Sequence, residues 1–548
     1  MLRSLVGSEM CIRDSTMPPP HEPVDVDLLD PVDPHTDDEA VADARQRRLI
    51  LITMCVSLIA VIASSSGLNV AQQALAADIG ASQGQLLWII NGYTLALAAL
   101  LMPIGAIGDR WGRKPILIIG LVVFAAANLA SAFVNSPEPL IALRVVAGLA
   151  AAMIMPVTLS VITTSFPAAE RAKAIGTWAG VAGAGGIIGL FASAAIIDNT
   201  TWPWVFSIPV ILAAVSLAAT VFVVPHSREH VETGFDIPGA ILSVLAVGGL
   251  VLAIQEGPER GWTSPLTIAA FVIGLAASVA FVRAELARDH PLLDVRLFRN
   301  RGLTTGSVNL FVVFALMFAL FLVLVQFLQA ILGYTALRAA SGLLPMAVMM
   351  MPLSTIAPTI AHRVGYRRTV ASGMITLSVG LVLLAVLADP GSGYLSVLPG
   401  LLVIGAGVGL SMSPSTTAIT SSLTEDKQGV ASALNDTVRE IGAAVGLALI
   451  GSILNSRYRA NITDTANTFP TDVADRIKEG IGGALSSAAQ LGPDSPALIT
   501  AARNAYVDAM QPAMFLAAGF AALAAAYTTW TGVQDKRRQT VSENEQLD

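Results

Sequence analysis

Gly108-Asp109-Arg110-Trp111-Gly112-Arg113-Lys114, with Gly105 just before it, is the stretch on which the fold turns. It is short, basic and punctuated by glycine, and it separates two long apolar runs, 84–107 and 115–134. Gly108 and Gly112 allow a tight turn and close approach of neighbouring helices. Asp109 suits a helix N-terminus or an arginine partner, and such a contact can exist in one state of a moving molecule and break in another. Taken alone, the same residues also make a plain basic loop that sets topology.

Working outward, the apolar runs on either side recur along the chain. A hydrocarbon core about 30 Å thick takes about 20 apolar residues per helix. Runs of that kind lie at 49–70, 84–107, 115–134, 139–163, 174–197, 203–224, 237–255, 266–282, 303–331, 340–361, 369–388, 394–415, 430–454 and 512–531. Backbone groups in lipid must be satisfied within each segment, so about fourteen helical spans are expected rather than open strands. The totals agree: 54% of the 548 residues are hydrophobic and 13% charged, and mean hydropathy is +0.68. Charged residues make up about a quarter of an ordinary globular chain, so this apolar excess must face lipid.

The formal charge of −7 is concentrated at the start, in a stretch that includes Glu22, Asp25, Asp27, Asp30, Asp33, Asp37, Asp38 and Glu39. Residues 1–16 resemble a translated sequencing-adaptor fragment, which places the natural start near Met17. Residues 17–44, rich in proline and acid, are expected to be a disordered cytoplasmic tail. No basic block points to nucleic acid. The two cysteines, Cys11 and Cys55, form neither a disulfide framework nor a metal-ligand spacing. No metal and no cofactor is implied. The chain has no phosphate loop, no His-Glu-x-x-His and no Gly-x-Ser-x-Gly, so it does not read as an enzyme.

Alternate connections carry the basic residues: Arg45, Arg47 and Arg48; the 108–114 turn; Arg171 and Lys173; Arg228; Arg283 through Arg301; Arg363, Arg367 and Arg368; Lys427; and Lys536, Arg537 and Arg538. The opposite connections are poor in them, with Arg260 alone in 256–264. This bias predicts a multi-pass protein of the plasma (inner) membrane with both termini cytoplasmic. Residues 456–511 then form an extracytoplasmic loop with one or two short amphipathic helices, either a cap over the outer face or a tolerated insertion. A second glycine-containing basic turn, His362-Arg363-Val364-Gly365-Tyr366-Arg367-Arg368, echoes the first. The echo divides the chain into six-helix bundles at 45–224 and 303–531, two inserted helices with a linker at 225–302, and a tail at 532–548. Internal repeats of this kind mark secondary transporters.

The 108–114 turn, placed between the second and third spans, closely resembles the signature loop of the major facilitator superfamily. Arg144 through Gly148 resembles that superfamily's intramembrane arginine motif. Phe235-Asp236 with Gly239, His290-Pro291 with Asp294, Gln326 and Gln329, and Asn435 with Arg439 through Gly442 together resemble its fourteen-span drug:proton antiporter family. The resemblance covers about residues 45–535. It implies an all-α fold of two six-helix bundles plus two additional helices, small-molecule substrates, protons as coupling ion, a monomer and alternating access. It also marks Gly105 through Lys114 as a gating loop, and Arg144, Asn69 and acids on span thirteen as cavity residues. Two departures stand out. Where the family usually carries an acid shortly before Asn69, this chain has Ser64, and Gly186 and Leu190 replace span-five prolines.

Ionisable groups inside a span cost at least about 2.5–3.5 kcal/mol at the helix centre, so they need a reason to be there. Asp436 and Glu440 are four apart and share a helix face, with Arg439 able to pair with Asp436. Two carboxylates beside a cation can take up and release a proton. Alternatively span thirteen starts later and all three lie at the interface. Arg144 either faces the central cavity or snorkels outward. The pairs Gly185/Gly189, Gly405/Gly409 and Gly442/Gly446 let helix backbones approach closely. The run Met346 to Met351 and Phe311, Phe314, Phe318, Phe321 and Phe327 either line an adaptable pocket or pack ordinarily. The reading is a proton-coupled exporter of amphiphilic drugs or metabolites. An uncoupled facilitator and a transport-inactive sensor or scaffold of the same fold remain as alternatives. Reporter fusions within 108–114 and within 456–511 should report opposite sides of the membrane; the same side for both would defeat the topology.

Overall fold

The computed structural model describes residues 41–545 except 42, 226–234, 289, 390, 425–426 and 491–494; the 1–16 leader and nearly all of the acidic tail lie outside the described residues. Every regular element among the described residues is helical. In chain order the helices are α1 Ala44–Ile79, α2 Gln83–Trp111, α3 Arg113–Ser131, α4 Pro137–Ser165, α5 Ala168–Ile197, α6 Ser207–Val223, α7 Ile237–Arg260, α8 Pro265–Leu286, α9 Arg301–Gln326, α10 Ala336–Val364, α11 Tyr366–Leu387, α12 Leu398–Thr420, α13 Gln428–Ala466, α14 Thr471–Glu479, α15 Ile481–Gln490 and α16 Ser495–Glu545. Fourteen of them, all but α14 and α15, are long and apolar enough to cross a bilayer. Helix starts follow local chemistry: Ser82 and Gln85 form a capping box at α2, and Asn300 caps α9 through the N–H groups of Gly302 and Leu303.

Packing separates these helices into two equivalent halves. In the first, α1 packs on α4, α5 and α6, α2 on α4, and α3 on α4 and α6. In the second, α9 packs on α12, α13 and α16, α10 on α12, and α11 on α12 and α16. Each pair in one half has its counterpart eight spans later. The turns agree as well: Gly112 at φ 100, ψ 138 and Gly365 at φ 99, ψ 140 take one left-handed conformation between paired helices. The halves meet along two seams related by the same exchange, α2 with α13 and α5 with α10. The inserted α7 packs on both α2 and α13, and α8 packs on α7.

Segment 456–511 is largely continuous with its neighbours. Helix α13 runs on to Ala466, α16 begins at Ser495, and α14 and α15 pack between their extensions. Arg503 donates to the Ala330 carbonyl and Tyr506 to the Val323 carbonyl, so this segment is fastened to the second half. Helix α12 begins at Leu398, after a tight turn over Gly393–Ser396, later than its apolar run suggests, because Pro399 fits the first turn of a helix and not its interior.

Glycine sets the distance between helices within each half. A methyl group on Gly189 of α5 would fall 2.8 Å from Cα of Ala63 in α1. One on Gly442 of α13 would fall 2.5 Å from the Phe311 carbonyl of α9, and one on Gly446 would strike the Ala315 backbone. These obstacles are backbone and have little freedom to shift. Gly519 in α16 has nothing within 4 Å of the same position. We expect G442A and G446A to lower the melting temperature and the detergent-stable yield. G519A should be neutral or raise stability by up to about 1 kcal/mol, as alanine normally does in a helix. Thermal unfolding of the three purified variants checks this.

Candidate functional site

On the face bearing the 108–114 and 362–368 turns, here the basic face, Asp109 joins the two halves. Asp109 ends α2 and is buried, 5% exposed. Its Oδ1 accepts from the backbone N–H of Gly429 at 2.8 Å and its Oδ2 from that of Val430 at 3.1 Å. These are N–H groups of the first turn of α13, whose own N-cap residue, Lys427, contributes no side-chain bond. Asp109 therefore caps a helix of the opposite half, placing a negative charge at its positive end. Arg113 donates to the same carboxylate at 3.2 Å. A methyl on Gly105 would lie 2.6 Å from Cβ of Ala433, so glycine is what allows α2 this close to α13. Gly108 leaves room beside Val157, and Gly112 turns the chain into α3. Lys114 donates to the Val221 and Val224 carbonyls, closing the end of α6, and Arg110 is half-buried. At the other seam Ser354 of α10 donates to the Gly176 carbonyl of α5 at 3.0 Å.

The charges on α13 lie deep in the molecule. The helix starts at Gln428, so Asp436, Arg439 and Glu440 stand about 12 to 18 Å along it at 1.5 Å per residue. Asp436 is fully buried, Arg439 is 2% exposed, and they form an ion pair at 2.8 Å. Asn435 also donates to Asp436 at 3.2 Å. The Arg439 guanidinium sits 4.4 Å from the ring centre of Phe314 in α9 and 5.3 Å from that of Trp178 in α5. Trp178 in turn donates to Thr158 at 3.1 Å. Among the described residues, Asp436 Oδ2 and Arg439 Nε have no hydrogen-bond partner. Glu440, one turn beyond Asp436, is only partly buried.

Arg144 lies inside the first half and does not snorkel outward. It is 1% exposed and donates to the Ser64 hydroxyl at 2.8 Å, the Ser64 carbonyl at 3.1 Å and the Ile89 carbonyl at 3.2 Å. Its guanidinium also lies 4.2 Å from the Tyr93 ring centre. Ser64 passes the contact on by donating to Asn128 at 2.9 Å. Asn69 is in α1, and its side chain is outside the described residues.

Gly185 and Gly189 face α1, Gly442 and Gly446 face α9, and Gly405 and Gly409 face α10. Met346 and Met350 are fully buried, whereas Phe318 is 38% exposed in a chain of ring contacts from Phe314 to Phe321. Among the described residues no three His, Cys, Asp or Glu side chains gather to hold a metal. Sequence reasoning missed Trp178, Tyr93 and the first turn of α13 as parts of the site. A lone tryptophan among the glycines of α5 was a usable signal. The backbone N–H partners of Asp109 carried none, because they lie in the other half of the chain.

The chain was compared with known proteins. The model of the Major Facilitator Superfamily matches residues 53–447. The multidrug efflux pump LfrA of Mycolicibacterium smegmatis is 32% identical over 87% of this chain and 94% of its own length. The methyl viologen resistance protein SmvA of Salmonella typhimurium is 29% identical over 84% and 93%. The tetracenomycin C resistance and export protein of Streptomyces glaucescens is 28% identical over 88% and 91%. Among solved structures, the proton:xylose symporter XylE aligns with a TM-score of 0.58 at 13% identity, covering 89% of this chain and 96% of that one. The human organic anion transporter MFSD10 aligns at 0.57 and 12%, covering 89% and 100%. A repeated six-helix fold, a glycine-lined seam and matches along most of the chain converge: this protein belongs to the Major Facilitator Superfamily and is a membrane transporter, not an enzyme.

Proposed function

We propose that the chain exports amphiphilic drugs or metabolites across the plasma membrane by proton antiport, with both termini and the basic face cytoplasmic. The observation that carries this reading is the set formed by the buried Asp436–Arg439 pair and the partly buried Glu440, in the first third of α13 at the seam between the halves. Relatives named for multidrug efflux and for methyl viologen or tetracenomycin C resistance support the substrate class. The apolar rings along α9 give such molecules a surface.

The steps follow from the charges. With Asp436 ionised, Arg439 is neutralised in place, and Glu440 is the carboxylate still open to a proton or a cationic substrate. A proton on either acid changes the charge buried at the seam, and with it the preference of the halves for one packing or the other. Opening toward the cytoplasm requires Asp109 to leave the first turn of α13, and closure restores it. Ser64 favours a second reading, an uncoupled facilitator, because Arg144 meets neutral acceptors there instead of a titrating acid.

In energised vesicles, D436N and E440Q should each reduce proton-driven efflux by about tenfold or more, since every 1.36 kcal/mol is tenfold, while reaching the membrane in normal amounts. Full efflux by both single variants and the double variant would end the coupling proposal. Uncoupler-insensitive exchange by the unmodified protein would select the facilitator.

The gate makes a separate prediction. Removing a capping side chain shifts stability by about 0.5–2 kcal/mol. D109A should therefore raise the cytoplasm-open population roughly twofold to thirtyfold. Thiol labelling of A433C, beneath Gly105, should be slow with Asp109 present and correspondingly faster in the double variant. Equal rates would show that the carboxylate does not hold the gate.

A further inference from the structure

The foot of the inserted α7–α8 hairpin carries two buried acids remote in sequence from the central charges. Asp236 is the N-cap of α7: its Oδ1 accepts from Gly239 N–H at 2.9 Å and is ion-paired with Arg288. Glu285, near the end of α8, has no solvent exposure, and its Oε2 accepts from Leu293 N–H at 2.9 Å. The second oxygen of each acid, Asp236 Oδ2 and Glu285 Oε1, is buried with no hydrogen-bond partner among the described residues. A methyl added to Gly239 would touch both, with Oδ2 at 2.5 Å and Oε1 closer still. The two orphan oxygens thus converge on one point above Gly239.

We propose that Asp236 and Glu285 hold a single proton between these two oxygens, forming a proton-binding site separate from the transport charges. Two ionised carboxylates meeting out of water repel, and one shared proton turns that repulsion into a charge-assisted hydrogen bond. Arg288 balances one negative charge, so the singly protonated set is neutral, whereas the fully ionised set buries an uncompensated charge. No third acid or histidine gathers there among the described residues, which leaves a metal ion without a cage. Among the described residues, other charged groups nearby are engaged elsewhere or turned outward. Arg296 donates to the Leu286 carbonyl, Asp294 accepts from Arg296 N–H, and Arg283 and His290 are exposed. From the packed helices, α2 brings Arg110 and α13 brings Lys427 to the same face.

The site lies at a junction. Through Leu293 it fixes the buried pair Leu292 and Leu293 of the linker into α9, and through Asp236 it starts α7, which packs on both α2 and α13. Its proton locks the hairpin to the linker that joins the two halves.

Thermal unfolding and infrared spectra of the purified full chain, set against E285Q, test the site. The glutamine amide accepts from Leu293 and donates to Asp236, so it keeps the geometry without a titrating proton. The native protein holds a proton that the unfolded chain releases above about pH 4.3, the ordinary glutamate value. Unfolding is therefore favoured as pH rises, by up to about tenfold in the equilibrium per pH unit. Between about pH 5 and 8 the native protein should lose melting temperature relative to E285Q, and a buried protonated-carboxyl band should be present in its spectrum and missing from that of E285Q. E285A, which orphans Leu293 N–H, should be less stable than the native protein at every pH. Parallel melting profiles together with no such band would overturn the proposal. Should E285Q fail to accumulate, the band in the native protein and its loss in D236N decide the matter. None of these readouts involves transport, so a failure here leaves the exporter reading untouched.

Discussion

In hydrocarbon, neither a backbone amide nor a charged side chain has water to turn to, so each must find its partner within the protein. That constraint explains which parts of this molecule are joined. Arg144 reaches from α4 to a hydroxyl and a carbonyl on α1 and a carbonyl on α2. Arg439 pairs with Asp436 and lies against rings from α9 and α5. Asp109 uses the first turn of a helix in the other half. Every one of these groups ties together helices that apolar packing alone would let slide.

The two seams are related by the internal repeat but are chemically unlike. Between α5 and α10 the hydrogen bond is neutral, a serine hydroxyl to a carbonyl, over glycines that bring backbones together. Between α2 and α13 it is an ionised carboxylate on backbone N–H groups, with Arg113 beside it. A neutral contact changes little in energy as helices tilt. A charge at a helix end is strongly directional and falls off within a turn, so it behaves as an on–off contact. Symmetry thus supplies two matched seams, and under the proposed cycle the charged one is the latch. The inserted α7 packs on both helices of that latch seam, so whatever fixes the foot of the hairpin also borders the latch.

What could be read without the structure followed the same physics. Fourteen apolar runs were legible because lipid demands length and greasiness of every span. The repeat was legible at Gly112 and Gly365, since a left-handed turn leaves a glycine in the sequence. The position of Asp436 and Glu440 was open only as long as the start of α13 was open. Gln428 as the first residue puts the three charges two to three turns into the helix, and its side chain, bonded to the Thr420 and Leu423 carbonyls, shows why the helix begins there. The partners of Asp109 and Arg144 were illegible for a different reason. They are backbone groups, and a backbone N–H or carbonyl carries no residue identity to read. The continuation of α13 to Ala466 was hidden because polar residues beyond the membrane look the same in a helix as in a loop.

Ser64 gives the central charges their arithmetic. Arg144 and Arg439 bring two positive charges into the core, and Asp436 and Glu440 two negative ones, all four in α4 and α13. An acid at position 64 would leave Arg144 neutralised within its own half. With serine there, Arg144 is held by the Ser64 hydroxyl and carbonyl, the Ile89 carbonyl and the Tyr93 ring, all within its own half. Under the proposed exchange, a proton arriving on Glu440 changes the charge that α13 carries beside the Asp436–Arg439 pair. Proton uptake would then be confined to α13, because Ser64 leaves the first half no titrating partner for Arg144.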